Sequence, residues 1–377
     1  MFLRAKPKDR RRKKRCDVTR HPGLELLGFQ HRSSPLLAYH SIQIAALCPS
    51  FDTATNVLRD LGIFMNHRLL QYLCYDVADQ VLANRCDNVI DDFWKRSGLR
   101  LLVCIDGGRL RERKKRRGRK KKGAKRQGYS TDWTAPYLIT ITCIDEEGKH
   151  RRDVPPIYDG TVNDINKAFE LLSDYLKRIN TREAVDITFC ADGGSGIWER
   201  FDMLADRLQQ TPVNRVLDYP HAKQSLKDII DLIHQGSGMF NYEYEQVTEQ
   251  LKSLLWQGKI DDIETIIHQR LFRKRQKKAA LKKLHHYFGD SAKFQYQRYR
   301  ATKIPIGSGT AESAIRHVIN LRLKSSGQFW KSKNTERMIF LRSQVISCRW
   351  HSVLNADLQR EGNILCYNEL ESIKKAA

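Results

Sequence analysis

A short apolar run that ends in an acid and two glycines occurs twice in this chain. The first copy is Leu102–Gly108 (L-V-C-I-D-G-G), and the second is Asp186–Gly194 (D-I-T-F-C-A-D-G-G). Each run is typical of a fully buried β-strand, and the Gly-Gly pair ends it and leaves room for a ligand or another backbone. Because parallel strands of an α/β sheet end at the same edge, Asp106 and Asp192 are expected to face each other there. An acid in that position is costly unless water, a partner or a metal meets it.

The strongest compositional signal is charge. The 377 residues include 67 Lys and Arg but only 43 Asp and Glu, a formal net charge of +24. A field of that sign favours a polyanionic partner, of which nucleic acid is the commonest. An anionic membrane surface is an alternative, but no apolar stretch reaches the roughly 18 residues that span a bilayer. A ribosomal or merely solubilising surface is the third interpretation.

Cysteine usage and the basic start of the chain indicate the compartment. The nine cysteines contain no C-x-x-C pair and match neither a disulfide framework nor a zinc site. Cys104, Cys143 and Cys190 lie within apolar strand runs and are interpreted as small core residues. The start lacks the apolar segment of a secretory signal. We therefore expect a cytoplasmic protein associated with the nucleoid.

The first part of the chain is interpreted as a basic flexible arm over residues 1–40, followed by a helical DNA-binding region over residues 41–97. Ser50 is expected to cap one helix that Gly62 ends, and Asn66 to cap the next. Two short helices joined through a glycine turn fit a helix-turn-helix, although plain helical packing explains them as well. On the DNA interpretation, the second helix offers three side chains to bases or phosphates: His67, Arg68 and Gln71.

Five strand patterns predict a sheet, and a helix capped by Thr161 or Asn163 is expected between the third and the fourth. The strands are placed at residues 99–105, 136–144, 149–157, 185–191 and 213–217. Three meandering strands, a helix and further strands are the order of a ribonuclease-H-like sheet, whose first strand lies centrally beside the fourth. The predicted fold is therefore an α/β ribonuclease-H-like catalytic core over residues 98–222 and 300–350, with an all-helical insertion at 223–299 and a tail at 351–377.

A basic run follows the first D-G-G acid. Arg109–Arg126 contain thirteen Lys or Arg and a single Glu, so this run is not expected to fold against itself. The run directly follows the strand that bears Asp106, so it should begin near the carboxylates. We therefore expect it to bind phosphates, although it could be only a solvated loop. The predicted DNA contacts of the run are Arg109, Arg111, Arg113, Lys114, Lys115, Arg116, Arg117 and Lys120. A later helix adds Arg316 and Lys324, and Arg316 and Asn320 are expected to share a face with Glu312.

Clustered acids at a sheet edge fit phosphodiester chemistry. Two Mg²⁺ ions about 3.5–4 Å apart activate the nucleophile and stabilise the leaving oxygen, and carboxylates hold them. Asp106 and Asp192 supply two carboxylates. Glu312 is the expected third, because Gly307-Ser308-Gly309 marks a helix start and the helix dipole favours an acid in the first turn. The predicted catalytic and metal-binding residues are therefore Asp106, Asp192 and Glu312, with two Mg²⁺ ions or Mn²⁺ in their place.

Several motifs resemble those of the DDE transposases of prokaryotic insertion sequences. They are the two D-G-G strand ends, D-Y-P-H at Asp218–His221, and G-S-G-T-A-E-S-A with the later R-L-K-S-S-G-Q-F-W. More narrowly, the chain is similar over roughly residues 45–350 to the branch with a (C/D)-x-x-H motif, related to Mutator-like elements. The resemblance implies that Asp106, Asp192 and Glu312 bind metal, and that Asp218 and His221 support the site or the nearby DNA.

The same resemblance implies transposition. The ends of the element would be hydrolysed, and the freed 3′-hydroxyl would attack target DNA without a covalent protein–DNA intermediate. The partner is then double-stranded DNA, both terminal repeats and target, with no membrane. A homodimer or higher assembly would join two DNA ends. The N-terminal region is shorter than in the relatives, so binding of terminal repeats is expected to be reduced or arranged differently.

Two other functions fit the same residues. One is a non-catalytic DNA-binding protein derived from a transposase, in which the acids are only structural. The other is a structure-specific ribonuclease-H-like nuclease, which hydrolyses DNA without strand transfer.

Overall fold

A computed structural model of the chain describes residues 3–4, 19–20, 22–31, 33–85, 90–116, 118–119, 123, 127–194, 196–208, 211–237 and 240–360. The chain divides into two units. The first unit comprises Met1–Asp91, Leu110–Thr134 and His317–Ala377, and the second comprises Asp92–Arg109 and Ala135–Arg316. The six segments expected from the sequence are a different division, and their boundaries stay a prediction. Residues 1–2, 5–18, 21 and 32 of the basic arm lie outside the described residues, as does most of the tail.

The described strands, in chain order, are β1 Leu3–Arg4, β2 Thr19–Arg20, β3 Arg100–Gly107, β4 Leu110–Lys115, β5 Tyr129–Thr134, β6 Tyr137–Ile144, β7 Ile157–Thr161, β8 Asp186–Ala191 and β9 Val213–Leu217. The α-helices are α1 Pro22–Leu26, α2 Pro35–Leu47, α3 Phe51–Asp60, α4 His67–Ala83, α5 Ile165–Arg178, α6 Ile197–Arg207, α7 Tyr219–Ser237, α8 Asn241–Gln257, α9 Ile260–Arg270, α10 Lys274–Phe288, α11 Tyr296–Ala301, α12 Gly309–Ala314, α13 Leu321–Leu323, α14 Ser332–Ile346 and α15 Trp350–Arg360. A π-helix covers Ile315–Asn320. Among the described residues, every helix is too short or too polar to cross a membrane.

The second unit contains a five-stranded mixed sheet with the order β7-β6-β3-β8-β9. β3 is antiparallel to β6 and parallel to β8, and β9 extends the parallel side. The predicted central position of the first strand, beside the fourth, is confirmed. Helices α5 and α12 pack against sheet strands, so the unit has an α/β architecture. This strand order is compatible with the expected ribonuclease-H-like core.

The sheet core consists of the apolar runs that predicted its strands. Leu101, Val103 and Ile105 of β3 are buried. Cys104 and Cys190 are opposite each other in the β3–β8 register. Both are buried free thiols, and Cys143 is a third. The interpretation of these cysteines as core residues is confirmed.

Two boundaries of this sheet differ from the prediction. The third strand begins only at Ile157, because Pro155 and Pro156 have no backbone N–H to donate to a strand ladder. The prediction of a strand from residue 149 was therefore wrong. Helix α5 is capped by Asp164, whose side chain accepts a hydrogen bond from the Lys167 nitrogen, and not by Thr161 or Asn163.

In the first unit, helices α3 and α4 begin, and α3 ends, at residues with the expected capping role. Ser50 caps α3 and Asn66 caps α4, as predicted. Gly62 has a φ of +78°. The Gly62 nitrogen bonds the carbonyl of Arg59, and the Ile63 nitrogen bonds that of Leu58, which is a Schellman motif. One expectation was wrong: helix α2 starts inside the segment assigned to the arm, because Ser34 caps it and Pro35 suits a first helical position.

Helices α7–α10 of the second unit form a bundle, and short connections join successive helices. α7 packs against α8 and α10, and α9 packs against α8 and α10. A Cβ atom added to Gly236, near the end of α7, would lie 2.3 Å from Leu271 Cδ2, just beyond α9. The α7–α8 and α9–α10 connections therefore lie at the same end of the bundle. These helices occupy the segment in which an all-helical insertion is predicted.

Candidate active site

Asp106 lies near the end of the central strand β3. Its carboxylate accepts a hydrogen bond from the backbone nitrogen of Gly107 at 2.6 Å. Burial raises the pKa of Asp106, and the charges of Asp192 and Glu312 raise it further. The Gly107 hydrogen bond and His221 act in the other direction, but the net shift is upward. Both other acids are thus close enough for their charges to act on this carboxyl group.

Asp192 follows β8 directly. The last paired residues of β3 and β8 are Cys104 and Cys190, so Asp106 and Asp192 each lie two positions further along parallel neighbours. The prediction that these acids end neighbouring parallel strands is confirmed, and that they face each other stays a prediction. Asp192 Oδ1 accepts a hydrogen bond from the Gly194 nitrogen at 2.9 Å. This turn fixes the carboxylate at the end of its strand.

The glycines of the two D-G-G motifs differ in what surrounds them. A Cβ atom on Gly193 would lie 2.4 Å from Cε2 of Tyr287, whereas one on Gly107 would meet nothing nearer than the Pro136 carbonyl at 3.8 Å. Another group therefore packs closely against Gly193, and this group is the Tyr287 ring. No such close contact occurs at Gly107.

Tyr287 of α10 is a residue that the sequence reasoning missed. Burial raises the pKa of its hydroxyl group, and the nearby polar groups of Ser225 and Gly193 act in the opposite direction. The charge of Asp192 raises the pKa of this hydroxyl group further. The only sequence signal for this contact is the absence of a side chain at Gly193.

Glu312 is exposed and lies in the first turn of α12. The predicted helix start at the G-S-G pattern is confirmed. Thr310 Oγ1 lies 3.8 Å from Cys104 Sγ, and α12 packs against β3 and β6. A π-helix begins at Ile315, three residues after Glu312. The expectation that Arg316 and Asn320 share the Glu312 face stays a prediction.

Asp218 is fully buried directly after β9. Its Oδ1 accepts a hydrogen bond from the Ser308 nitrogen at 2.5 Å. Its Oδ2 accepts one from the His221 nitrogen at 3.0 Å and lies 2.5 Å from Nδ1 of the same histidine. Both oxygens of this carboxylate are thus used in joining β9, the start of α7 and the segment before α12.

His221 is half exposed in the first turn of α7. Burial lowers its pKa, but the hydrogen bond and charge of Asp218, with the charges of Asp192 and Glu312, outweigh burial and raise it. One ligand atom each from Asp218, His221 and Glu312 can be chosen so that all three lie within 4.8 Å of one another. The electrostatic neighbourhood of His221 therefore includes two of the three predicted metal ligands.

The donor set at this edge fits a hard divalent cation. Mg²⁺ prefers carboxylate oxygens, which Asp106, Asp192 and Glu312 present. Burial raises the pKa of Asp106, and repulsion by Asp192 and Glu312 adds to this effect, so a cation bound beside these acids would stabilise the charged carboxylate. Asp218 suits direct coordination less well, since its oxygens already accept hydrogen bonds.

The basic run contributes to a β-hairpin of the first unit. β4 lies within this run and pairs along its length with β5, which lies outside it. Among the described residues, the run therefore folds against the strand that follows it and not against itself. The Arg111 guanidinium lies 5.6 Å from the centre of the Trp133 ring, and that of Arg113 lies 4.1 Å from the Tyr129 ring. Arg117 and Lys120 lie outside the described residues.

The remaining predicted DNA contacts are mostly exposed. Gln71 is half-buried, whereas the exposed members are Arg109, Lys114, Lys115, Arg116, Arg316, Lys324, His67 and Arg68. The α3–α4 connection covers residues 61–66, which is longer than the 3–4 residues of a typical helix-turn-helix turn. Helix α4 packs against α2 and α14. The helix-turn-helix interpretation stays a prediction.

No protein-family model matches the sequence, and no curated protein matches it. Among solved structures, the chain is similar to the Drosophila P element transposase strand transfer complex, with a TM-score of 0.30 and 10% sequence identity. That similarity covers 92% of this chain and 87% of the other. A likeness at this level carries no functional argument, so function has to be argued from the site.

Proposed function

We propose that this chain is a DNA transposase of the DDE type, which cleaves DNA strands and joins the freed 3′ ends to target DNA with the help of divalent cations. One observation carries the proposal: Asp106 and Asp192 each lie two positions beyond the last paired residues of the parallel strands β3 and β8, so that both acids lie at one edge of the sheet. Repelling acids at a sheet edge are stabilised when a divalent cation lies between them.

Asp106, Asp192 and Glu312 are the residues that would hold the cations. Two Mg²⁺ ions, or Mn²⁺ in their place, would supply the Lewis acidity that activates water or a 3′-hydroxyl and stabilises the leaving oxygen. The chain itself fixes where the three carboxylates lie. Two parallel strands hold the aspartates, and a helix packed on the same sheet carries the glutamate.

Asp218 and His221 are proposed to support this site. The buried Asp218 carboxylate binds Nδ1 of His221 and leaves the other ring nitrogen available to the acids or to DNA. The same carboxylate holds the backbone of Ser308, the residue before α12. Asp218 is therefore a positioning residue for both His221 and Glu312.

The partner proposed for this site is double-stranded DNA, both the element ends and the target. The net charge of +24 supports an anionic partner. The finer features are proposals from the motif resemblance. They are an origin in an insertion sequence related to Mutator-like elements, DNA binding by residues 41–97, an insertion at 223–299, pairing of protomers on DNA, and a location at the nucleoid in the cytoplasm.

Plasmid nicking tests the catalytic part of this proposal. The full chain is incubated with supercoiled plasmid and Mg²⁺ or Mn²⁺, and a labelled duplex with a free 3′-hydroxyl is added to detect joining. We expect nicking and joining by the parent. Asp106→Asn, Asp192→Asn and Glu312→Gln should lose about 100-fold or more in rate, as expected when metal ligation is damaged. Asp206→Asn is the matched control, because Asp206 is an exposed acid on α6 of the same unit.

Each alternative function has its own outcome. Nicking without joining would identify a structure-specific nuclease instead of a transposase. Plasmid binding without nicking would identify a non-catalytic DNA-binding protein. Equal nicking by the parent and by Asp106→Asn would contradict the proposed site.

A further inference from the structure

The end of the helical bundle at which the α7–α8 and α9–α10 connections meet is here called the bundle tip. Within the described residues it comprises Phe240, Tyr242 and residues 270–275. Leu271 is fully buried against Gly236, and this contact holds the two connections together. Helix α7 has 19 residues and starts directly after Asp218. At 1.5 Å per residue, the bundle tip lies about 28 Å from the candidate active site.

Three aromatic side chains of the bundle tip face solvent. The exposed fractions are 70% for Phe240, 63% for Tyr242 and 83% for Phe272. The rings of Phe240 and Tyr242 are parallel within 8°, with centres 6.1 Å apart. Phe272 follows Leu271, which lies against Gly236, four positions before Phe240. An exposed pair of rings with a third on the adjoining segment indicates an interaction site, since large apolar side chains are otherwise exposed singly.

The backbone that carries two of these rings is held in place. The nitrogen of Phe240 donates a hydrogen bond to Glu243 Oε2 at 3.1 Å. The hydroxyl of Tyr244 donates one to Asp231 of α7 at 2.9 Å. A preorganised pair of rings loses little entropy when a ligand binds.

Four cations of the bundle tip have no acidic partner among the described residues. Arg270, Arg273, Lys274 and Arg275 are exposed, and among the described residues none of them makes an ion pair. Arg273 precedes α10, and Lys274 and Arg275 begin it, with no acid in the first turn. The N-terminus of a helix carries a partial positive charge, so cations there repel it. An anionic ligand would remove this repulsion.

We propose that the bundle tip binds single-stranded DNA, with bases stacked on Phe240, Tyr242 and Phe272 and phosphates held by the neighbouring cations. The ligand must combine flat apolar faces with regular negative charge. Single-stranded DNA offers both, whereas a duplex hides its base faces by internal stacking. The inference goes beyond the proposed cleavage site and requires no metal.

Anisotropy titrations of the full chain in EDTA test this binding, because cleavage is then absent. The probes are a labelled oligothymidine of about 20 nucleotides and a duplex of the same length. The triple variant Phe240→Leu, Tyr242→Leu, Phe272→Leu keeps apolar bulk but removes the aromatic faces. We expect its affinity for the single strand to fall roughly tenfold or more, and its affinity for the duplex to change less than twofold.

Three controls make the result specific. The triple variant Phe240→Tyr, Tyr242→Phe, Phe272→Tyr keeps the aromatic faces and should bind like the parent. Met203→Ala removes an exposed apolar side chain of α6, 58% exposed, and should have no effect. The variant Arg273→Ser, Lys274→Ser, Arg275→Ser should make the salt dependence of single-strand binding shallower by about 0.7 for each phosphate that these cations no longer neutralise.

Several outcomes would overturn the proposal. They are an unchanged single-strand affinity in the leucine variant, an equal loss for single strand and duplex, or a loss only of binding to phosphatidylglycerol vesicles, which would identify a membrane as the occupant. The leucine variant of the bundle tip should bind Mn²⁺ like the parent, so a failed active site and a failed bundle tip are distinguishable.

Discussion

The buried carboxylate of Asp218 accepts a hydrogen bond from the backbone nitrogen of Ser308, 90 positions later in the chain, at 2.5 Å. This contact joins the end of a sheet strand to the residue that precedes α12. Glu312 follows in the first turn of that helix. The position of one candidate metal ligand therefore depends on an acid that is itself poorly placed to bind metal.

The first prediction concerns the stability supplied by Asp218. Asp218→Ala should lower the free energy of unfolding by about 3 kcal/mol or more, because several donors lose a buried charged acceptor. Asp218→Asn should cost less but still about 1–3 kcal/mol, because its amide nitrogen must face one of those donors. Urea unfolding measures both. Asp206→Ala is the exposed control and should change stability by less than about 0.5 kcal/mol. A loss no larger than that in Asp218→Ala would contradict the anchoring role.

The second prediction concerns the contact of Tyr287 with Gly193. Gly193→Ala should destabilise the protein by about 1–3 kcal/mol, because the new Cβ would lie 2.4 Å from the ring. The cost should largely disappear in a Tyr287→Ala background, which a double-mutant cycle measures. Gly107→Ala is the matched control from the other D-G-G motif, where the nearest atom would be 3.8 Å away. An equal cost at both glycines would show that the ring is not responsible.

The third prediction is a pH dependence in the first unit. The hydrogen bond from Arg337 lowers the pKa of Asp79, and Lys333 adds to the shift. A carboxyl group with a lowered pKa stabilises the fold above its unfolded value, near 3.9, and this stabilisation is lost as pH falls through the lower folded value. The side chain is 37% exposed, so the effect should be small.

Urea midpoints of the parent and Asp79→Asn measure this effect. The parent should be more stable at pH 7, and the difference should shrink below pH 4. Asp60→Asn, an exposed acid on α3, should show no comparable difference. If the difference in urea midpoint between the parent and Asp79→Asn stayed constant from pH 7 to pH 2, the stabilising role of the Asp79 carboxylate would be refuted.

Features that depend on local chemistry could be predicted from the sequence. Ser50 and Asn66 cap helices, and Gly62 ends one, because their effects act within a few residues. The central position of β3 followed from the strand order and the apolar runs. The two strand-end acids followed from the same pattern, since a parallel register carries both to one edge.

Features that depend on tertiary contacts could not be predicted. The basic run pairs with β5 because a neighbouring strand satisfies its backbone, which the charge pattern does not reveal. The π-helix at Ile315–Asn320 follows α12 directly, and no local pattern in the sequence indicates it. Tyr287, 94 positions after Gly193 in the sequence, packs against that glycine, and no local motif predicts the contact.

Binding of Mn²⁺ to the full chain, measured by electron paramagnetic resonance, tests the central claim most directly. The account predicts saturable binding by the parent and by Asp206→Asn, and clearly weaker binding by Asp106→Asn, Asp192→Asn and Glu312→Gln. Each variant should unfold at nearly the parent's urea midpoint, so that a loss of binding reports on the site. Unchanged Mn²⁺ affinity in the three site variants would contradict the claim that these carboxylates together hold the metal.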